Sequence, residues 1–135
     1  MAYLSDSLKQ LVRKRAEDRC EYCHLAQAGQ VATFHIDHIR PVKSGGPTES
    51  HNLALACVGC SLHKAAKTTA LDPETGQYAP LFHPRQDHWE DHFAWDGFIL
   101  SALTSIGRAT ISALKLNRPL LVAIREEEAY WGRHP

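Results

Sequence analysis

Four cysteines stand in two C-x-x-C pairs, Cys20-Glu-Tyr-Cys23 and Cys57-Val-Gly-Cys60, and the chain has no others. A thiolate is a strong zinc ligand, and a tight C-x-x-C turn brings two thiolates to one ion. Two such turns complete a tetrahedral S₄ set, the closed arrangement of a structural zinc. Cys20, Cys23, Cys57 and Cys60 are therefore expected to bind one structural Zn²⁺. Disulfides would need an oxidising compartment, and nothing in the sequence signals export. A redox C-x-x-C explains one pair and leaves the other over. The 33 residues between Cys23 and Cys57 exceed a simple zinc ribbon. That interval carries the most polar chemistry of the chain, and the metal would hold both of its ends.

The elements that must position this chemistry can be read from pattern. Ser5 or Ser7 can cap a first helix with Leu8, Leu11, Val12 and Ala16 on its apolar side. Val31 to Ile39 is β-rich and reads as a strand, ended by Pro41. Lys43 to Thr48 is a loop by composition. Asn52 to Ala56 reads as a short apolar strand entering the second C-x-x-C, and Ser61 to about Ala70 favours a helix. The order is strand, loop, strand, helix. Beyond it, Leu71 to Gly76 is a turn cluster, and Gln77 to Phe82 suits a short strand. Asp96-Gly97 between apolar runs signals a hairpin. Thr104 caps a helix to about Leu116, Asn117 ends it, and Pro119 opens a last helix reaching about Trp131.

With 135 residues, 44% of them hydrophobic, the chain suits one domain with a core, and a metal clamp would add stability to it. Fifteen basic and fifteen acidic residues cancel, which argues mildly against tight non-specific binding to nucleic acid. No run is long and apolar enough to span a membrane, and Met1 to Gln10 lacks the apolar segment of a signal peptide. A soluble, cytoplasmic protein is expected. No composition shift marks a second domain.

The run His35-Ile-Asp37-His38-Ile-Arg-Pro, then Gly45-Gly46, Asn52-Leu53, Cys57-x-x-Cys60 and Lys64, resembles the HNH endonuclease family. The resemblance extends from about Arg13 to Thr69 and is closest to the subset with two C-x-x-C zinc knuckles. It implies an α+β fold. A ββα-metal core at about 13–70 would be clamped by the Cys₄ zinc, with an N-terminal helix. A C-terminal hairpin and two helices would form an extension at about 76–135 of a single domain, 1–135. It also implies a metal-dependent endonuclease that hydrolyses DNA phosphodiester bonds. His38 matches the general base that deprotonates water, a task suited to a group titrating near neutrality. Asp37 matches the ligand of a catalytic divalent metal, and its hard oxygens suit Mg²⁺ or Mn²⁺. Asn52 matches the central asparagine, which orients the base or orders its loop. Lys64, and less so Lys67, could contact phosphate from the helix.

One position departs from the pattern. The family places His or Asn directly after the second C-x-x-C as a helix-borne metal ligand, and here that residue is Ser61. Four residues on, where some members carry another histidine, stands Ala65. His63 points some 200° away from position 61, at about 100° per residue. His35 shares a strand face with Asp37 and is the better substitute ligand. Ser61 could hold the metal weakly or through water, or serve as a helix N-cap. Three outcomes follow: a nuclease with an altered metal shell, a weak one, or a DNA- or protein-binding module of the same fold without turnover. Elsewhere, His88 and His92 have helical metal-ligand spacing, but their aromatic neighbours favour packing. Arg85 is a candidate phosphate contact, and Arg13 to Arg15 form a basic run on the first helix.

Overall fold

A computed structural model describes residues 3–135; Met1 and Ala2, the start of the polar N-terminal stretch, lie outside the described residues. The chain forms two compact units, Met1–Ala66 and Lys67–Pro135. Both mix helices with small antiparallel sheets, so the class is α+β as expected. No described helix is long and apolar enough to cross a membrane.

In the first unit, helix α1 spans Asp6–Arg15, and Ser5 caps it by accepting from the Leu8 amide at 3.2 Å. Asp6 in the first turn and Arg13, Lys14 and Arg15 in the last complement the helix dipole. The buried face is narrow: Val12 is fully buried, whereas Leu11 is exposed. Two of the three basic residues are structural anchors. Arg13 donates to the Phe34 carbonyl at 3.2 Å and Arg15 to the Leu53 carbonyl at 2.8 Å. Glu17 and Asp18 then take left-handed φ values of 55° and turn the chain into the first cysteine pair.

Strand β1 is His35–His38 and pairs antiparallel with β2, Leu53–Ala56. The register places Asp37 opposite Ala54 and His38 opposite Leu53. All four β2 residues are buried, which explains their unbroken apolar run. The strand expected over Val31 to Ile39 is therefore much shorter, because β2 offers only four partners. Upstream of β1 the backbone is served by a side chain instead. Gln27 accepts from the Phe34 amide at 2.7 Å and donates to the Ala32 carbonyl at 3.0 Å.

Helix α2 runs Val58–Lys64, not Ser61 to Ala70. It starts early because the Cys57 thiol caps it, accepting from the Cys60 amide at 3.4 Å. It stops early at Ala65, which has a φ of 49°. The good helix formers beyond it yield to strand pairing: Thr69–Leu71 (β3) pairs with Tyr78–Pro80 (β4).

The second unit begins with that hairpin, whose turn is closed by the buried Asp72 and by Gly76 at φ 73°. A short helix α3, Trp89–His92, leads into hairpin β5, Phe93–Asp96, and β6, Ile99–Ala102. Gly97 supplies the positive φ of its turn. Helix α4, Ser105–Leu114, is capped by Thr104, and helix α5 is Pro119–Tyr130. Asn117 does not cap α4. Its amide clamps β6 instead, meeting both the amide and the carbonyl of Leu100 at 2.8 Å. Lys115, with a φ of 50°, ends α4.

Candidate functional site

The four cysteine side chains are buried, and their sulfurs all lie within 4.8 Å of one another. The Cys23 and Cys57 sulfurs are 3.7 Å apart, far beyond a disulfide bond. Zinc–sulfur bonds of about 2.3 Å set tetrahedral sulfurs about 3.8 Å apart. The donor set therefore fits a Cys₄ zinc. Amides of the turns point at the ligands: Cys23 N–H donates to Cys20 Sγ at 3.5 Å, and Cys60 N–H to Cys57 Sγ at 3.4 Å. Burial pushes the Cys20 thiol well above its ordinary pKa, whereas hydrogen bonds from Cys20, Cys23 and Cys60 hold the Cys57 thiol well below it; a cation at the centre would ionise the whole set.

Each zinc knuckle delivers one further side chain to a second polar centre on β1. Asp37 is largely buried, and its Oδ2 accepts from the Tyr22 hydroxyl at 3.0 Å and lies 3.1 Å from Lys64 Nζ. Tyr22 sits between the two cysteines of the first knuckle, and Lys64 lies on the helix that the second knuckle starts. Asp37 Oδ1 takes no hydrogen bond from any described residue. Burial raises the Asp37 pKa, opposed by Lys64 and then by Tyr22. Tyr22 is itself pushed well above the usual phenol range, by burial and by the carboxylate beside it. Lys64, expected as a phosphate contact, is only 1% exposed. Its ammonium also donates to the His38 carbonyl at 3.3 Å and the Ile39 carbonyl at 3.2 Å. It stands as an internal counter-ion to Asp37 rather than as a surface cation.

His35 shares the strand face of Asp37, and its Nδ1 meets Ser61 Oγ at 2.9 Å. Ser61 is not an N-cap, because the helix begins three residues earlier and Cys57 caps it. It lies one helical turn before Lys64, so the two side chains meet the two polar residues of one strand face. His63 turns back to the Gly59 carbonyl, 2.7 Å away, as its helical position required. Among the described residues, the cysteine cluster is the one group of three or more His, Cys, Asp or Glu side chains that converges. A divalent cation here would have the Asp37 carboxylate as its charged ligand, His35 and the Ser61 hydroxyl as neutral ones, and water for the rest.

His38 is half-buried, and its Nε2 meets Thr48 Oγ1 at 2.9 Å. Asn52 does not touch the histidine ring. Its buried amide accepts from the Arg40 N–H at 2.9 Å and donates to the Arg40 carbonyl at 3.0 Å and the Pro47 carbonyl at 2.9 Å. It thus orders the loop that carries Thr48, the second of the two roles expected of it. Gly46 belongs to the same device, because a Cβ there would overlap the Arg40 carbonyl and press on the Asn52 amide. Tyr22 and Thr48 escaped the sequence reading. The position of Tyr22 inside a C-x-x-C was visible, but nothing in the spacing said where its hydroxyl would reach.

Of the remaining candidates, Lys67 is exposed and Arg85 half-buried, both in the second unit. His92 bonds Thr104 through Nδ1 at 2.6 Å and stacks edge-on with Phe82, so this histidine is a packing residue.

No curated protein and no solved structure shows a match to the chain. A match does exist to one protein family, and it falls on the stretch that holds both knuckles, the β1–β2 pair and α2. Residues 20–67 match the family model described as HNH endonuclease, and their four cysteines are positioned to form the metal site of its zinc-knuckle subset.

Proposed function

We propose that the domain at residues 20–67 hydrolyses phosphodiester bonds in DNA, with His38 as general base and Asp37 as the main ligand of a divalent cation such as Mg²⁺ or Mn²⁺. The observation that supports this best is the half-anchored Asp37 carboxylate directly beside His38, with Oδ2 gripped from two sides and Oδ1 left open. A cation bound there would stabilise charge on the scissile phosphate and the leaving oxygen. Thr48 holds His38 Nε2 and leaves Nδ1 to take a proton from water. The water oxygen attacks phosphorus, a P–O ester bond breaks, and the proton passes to His38. Asn52 keeps Thr48 in place through the loop.

A plasmid-nicking assay with Mg²⁺, Mn²⁺, Ni²⁺ or Zn²⁺ tests the reading. Wild type should nick in at least one metal, and His38→Ala should not. Equal rates for the two proteins would end it. A second reading, a DNA-binding module without turnover, draws on Lys64 already neutralising Asp37 and on the hydroxyl of Ser61 at the helix position. It expects salt-dependent DNA binding with no metal-dependent nicking. In the same assay, Ser61→Asn separates an impaired site, which gains activity, from one completed by His35, which does not.

A further inference from the structure

We propose that Tyr22 is a positioning residue that couples the zinc clamp to the divalent-cation site, its hydroxyl fixing Asp37 so that the open carboxylate oxygen is presented to the cation. The inference rests on the hydrolase reading above, in which Asp37 is the metal ligand. Tyr22 is fully buried, and its hydroxyl donates to Asp37 Oδ2 at 3.0 Å. Lys64 approaches the same oxygen at 3.1 Å. Two donors on one oxygen stop the carboxylate from rotating about its terminal bond, and they leave Oδ1 as its open lone-pair site.

The phenol is in turn held by its neighbours in sequence. Cys20 and Cys23 flank it as zinc ligands two residues before and one after. Glu21 is tied to β2 twice: its N–H donates to the Leu55 carbonyl at 2.8 Å, and its carboxylate accepts from the Leu55 amide at 2.8 Å. The Tyr22 backbone therefore lies between two candidate zinc ligands and is tied to the strand pair through Glu21. Lys64 reaches Asp37 from the helix that the other knuckle caps, so each half of the zinc site controls one donor. Hydrogen bonds that orient a metal-ligating group typically carry 10–100-fold in metal affinity.

The test is Mn²⁺ binding by the zinc-loaded full chain, read by electron paramagnetic resonance titration without substrate. Tyr22→Phe removes one buried oxygen and none of the zinc ligands. It should keep one zinc per chain while its Mn²⁺ affinity falls about tenfold or more. Tyrosine-labelled wild type gives a measurement that no folding defect can confuse. Saturation with Mg²⁺ should move the Tyr22 ring-carbon signal and leave those of the exposed Tyr3, Tyr78 and Tyr130 in place. Zinc-loaded Tyr22→Phe that binds Mn²⁺ as tightly as wild type, or a Tyr22 signal unmoved on Mg²⁺ binding, overturns the coupling alone. A wild type that binds neither cation overturns the hydrolase reading, and the coupling falls with it.

Discussion

Two aspartates, the fully buried Asp72 and the largely buried Asp37, one in each unit, are treated differently. Asp72 has both carboxylate oxygens occupied. Arg108 grips them through Nε at 3.0 and 3.1 Å and through Nη2 at 2.9 Å, and the Glu74 amide adds a bond at 2.9 Å. The Arg108 guanidinium holds the Asp72 carboxyl down at about 2. Asp37 has one oxygen held and the other open, and burial raises its pKa. Asp37 Oδ1 is not among the buried atoms left without a partner, so this oxygen keeps access to water or to a cation, whereas both Asp72 oxygens are spent on Arg108 and the turn. Asp72 closes a turn, and Asp37 keeps an unused bond.

The largest effect should come from the clamp that both Tyr22 and Lys64 depend on. Cys57→Ala removes a zinc ligand and the side-chain cap of α2 together. Zinc content should drop to near zero and the first unit should lose its cooperative melt, followed by metal analysis and circular dichroism. Next, Asp37→Asn should cost about 10²-fold or more in metal-dependent nicking. Asp72→Asn should lower the melting temperature, by on the order of 5 °C, while nicking per folded molecule stays the same. Nicking impaired as strongly by Asp72→Asn as by Asp37→Asn would mean that the two carboxylates do not differ in function.

A pH series separates the pair further. Asp72 has a folded pKa of about 2, below the value of about 3.9 in an unfolded chain. Its stabilising contribution is therefore complete above about pH 4 and is lost as pH falls through its folded value. The stability difference between wild type and Asp72→Asn should shrink as pH drops across that window. A difference that stayed constant would mean that the Arg108 pairing contributes nothing. The smallest expected effect is at the base. Thr48→Val removes one neutral hydrogen bond from His38 and should slow nicking about fivefold, with Thr48→Ser restoring it.

Much of this was legible from the chain alone, at residues whose role needs only local pattern. The S₄ set follows from two C-x-x-C spacings. Ser5 and Thr104 as caps, Asp96-Gly97 as a hairpin turn and Pro119 at a helix start were all readable, because each acts on backbone within a few residues. The errors fell where distant chain decides. The helix over Ser61 to Ala70 was cut at Lys64 by pairing between β3 and β4, and the strand from Val31 contracted because its partner is short. Lys64 looked like a surface cation on helical spacing, yet its ammonium neutralises Asp37 inside the unit.

Which chemistry is present was written in the chain alone: four thiolates for one metal, and a histidine, a carboxylate and an asparagine in the order of a known nuclease motif. The tertiary structure decided which atoms remain free to act. A side chain's availability depends on what approaches it from other parts of the chain, and no spacing rule encodes that. Tyr22 and Lys64 both reach Asp37 across long stretches of sequence and leave it one open oxygen. Thr48, not Asn52, meets the ring of His38.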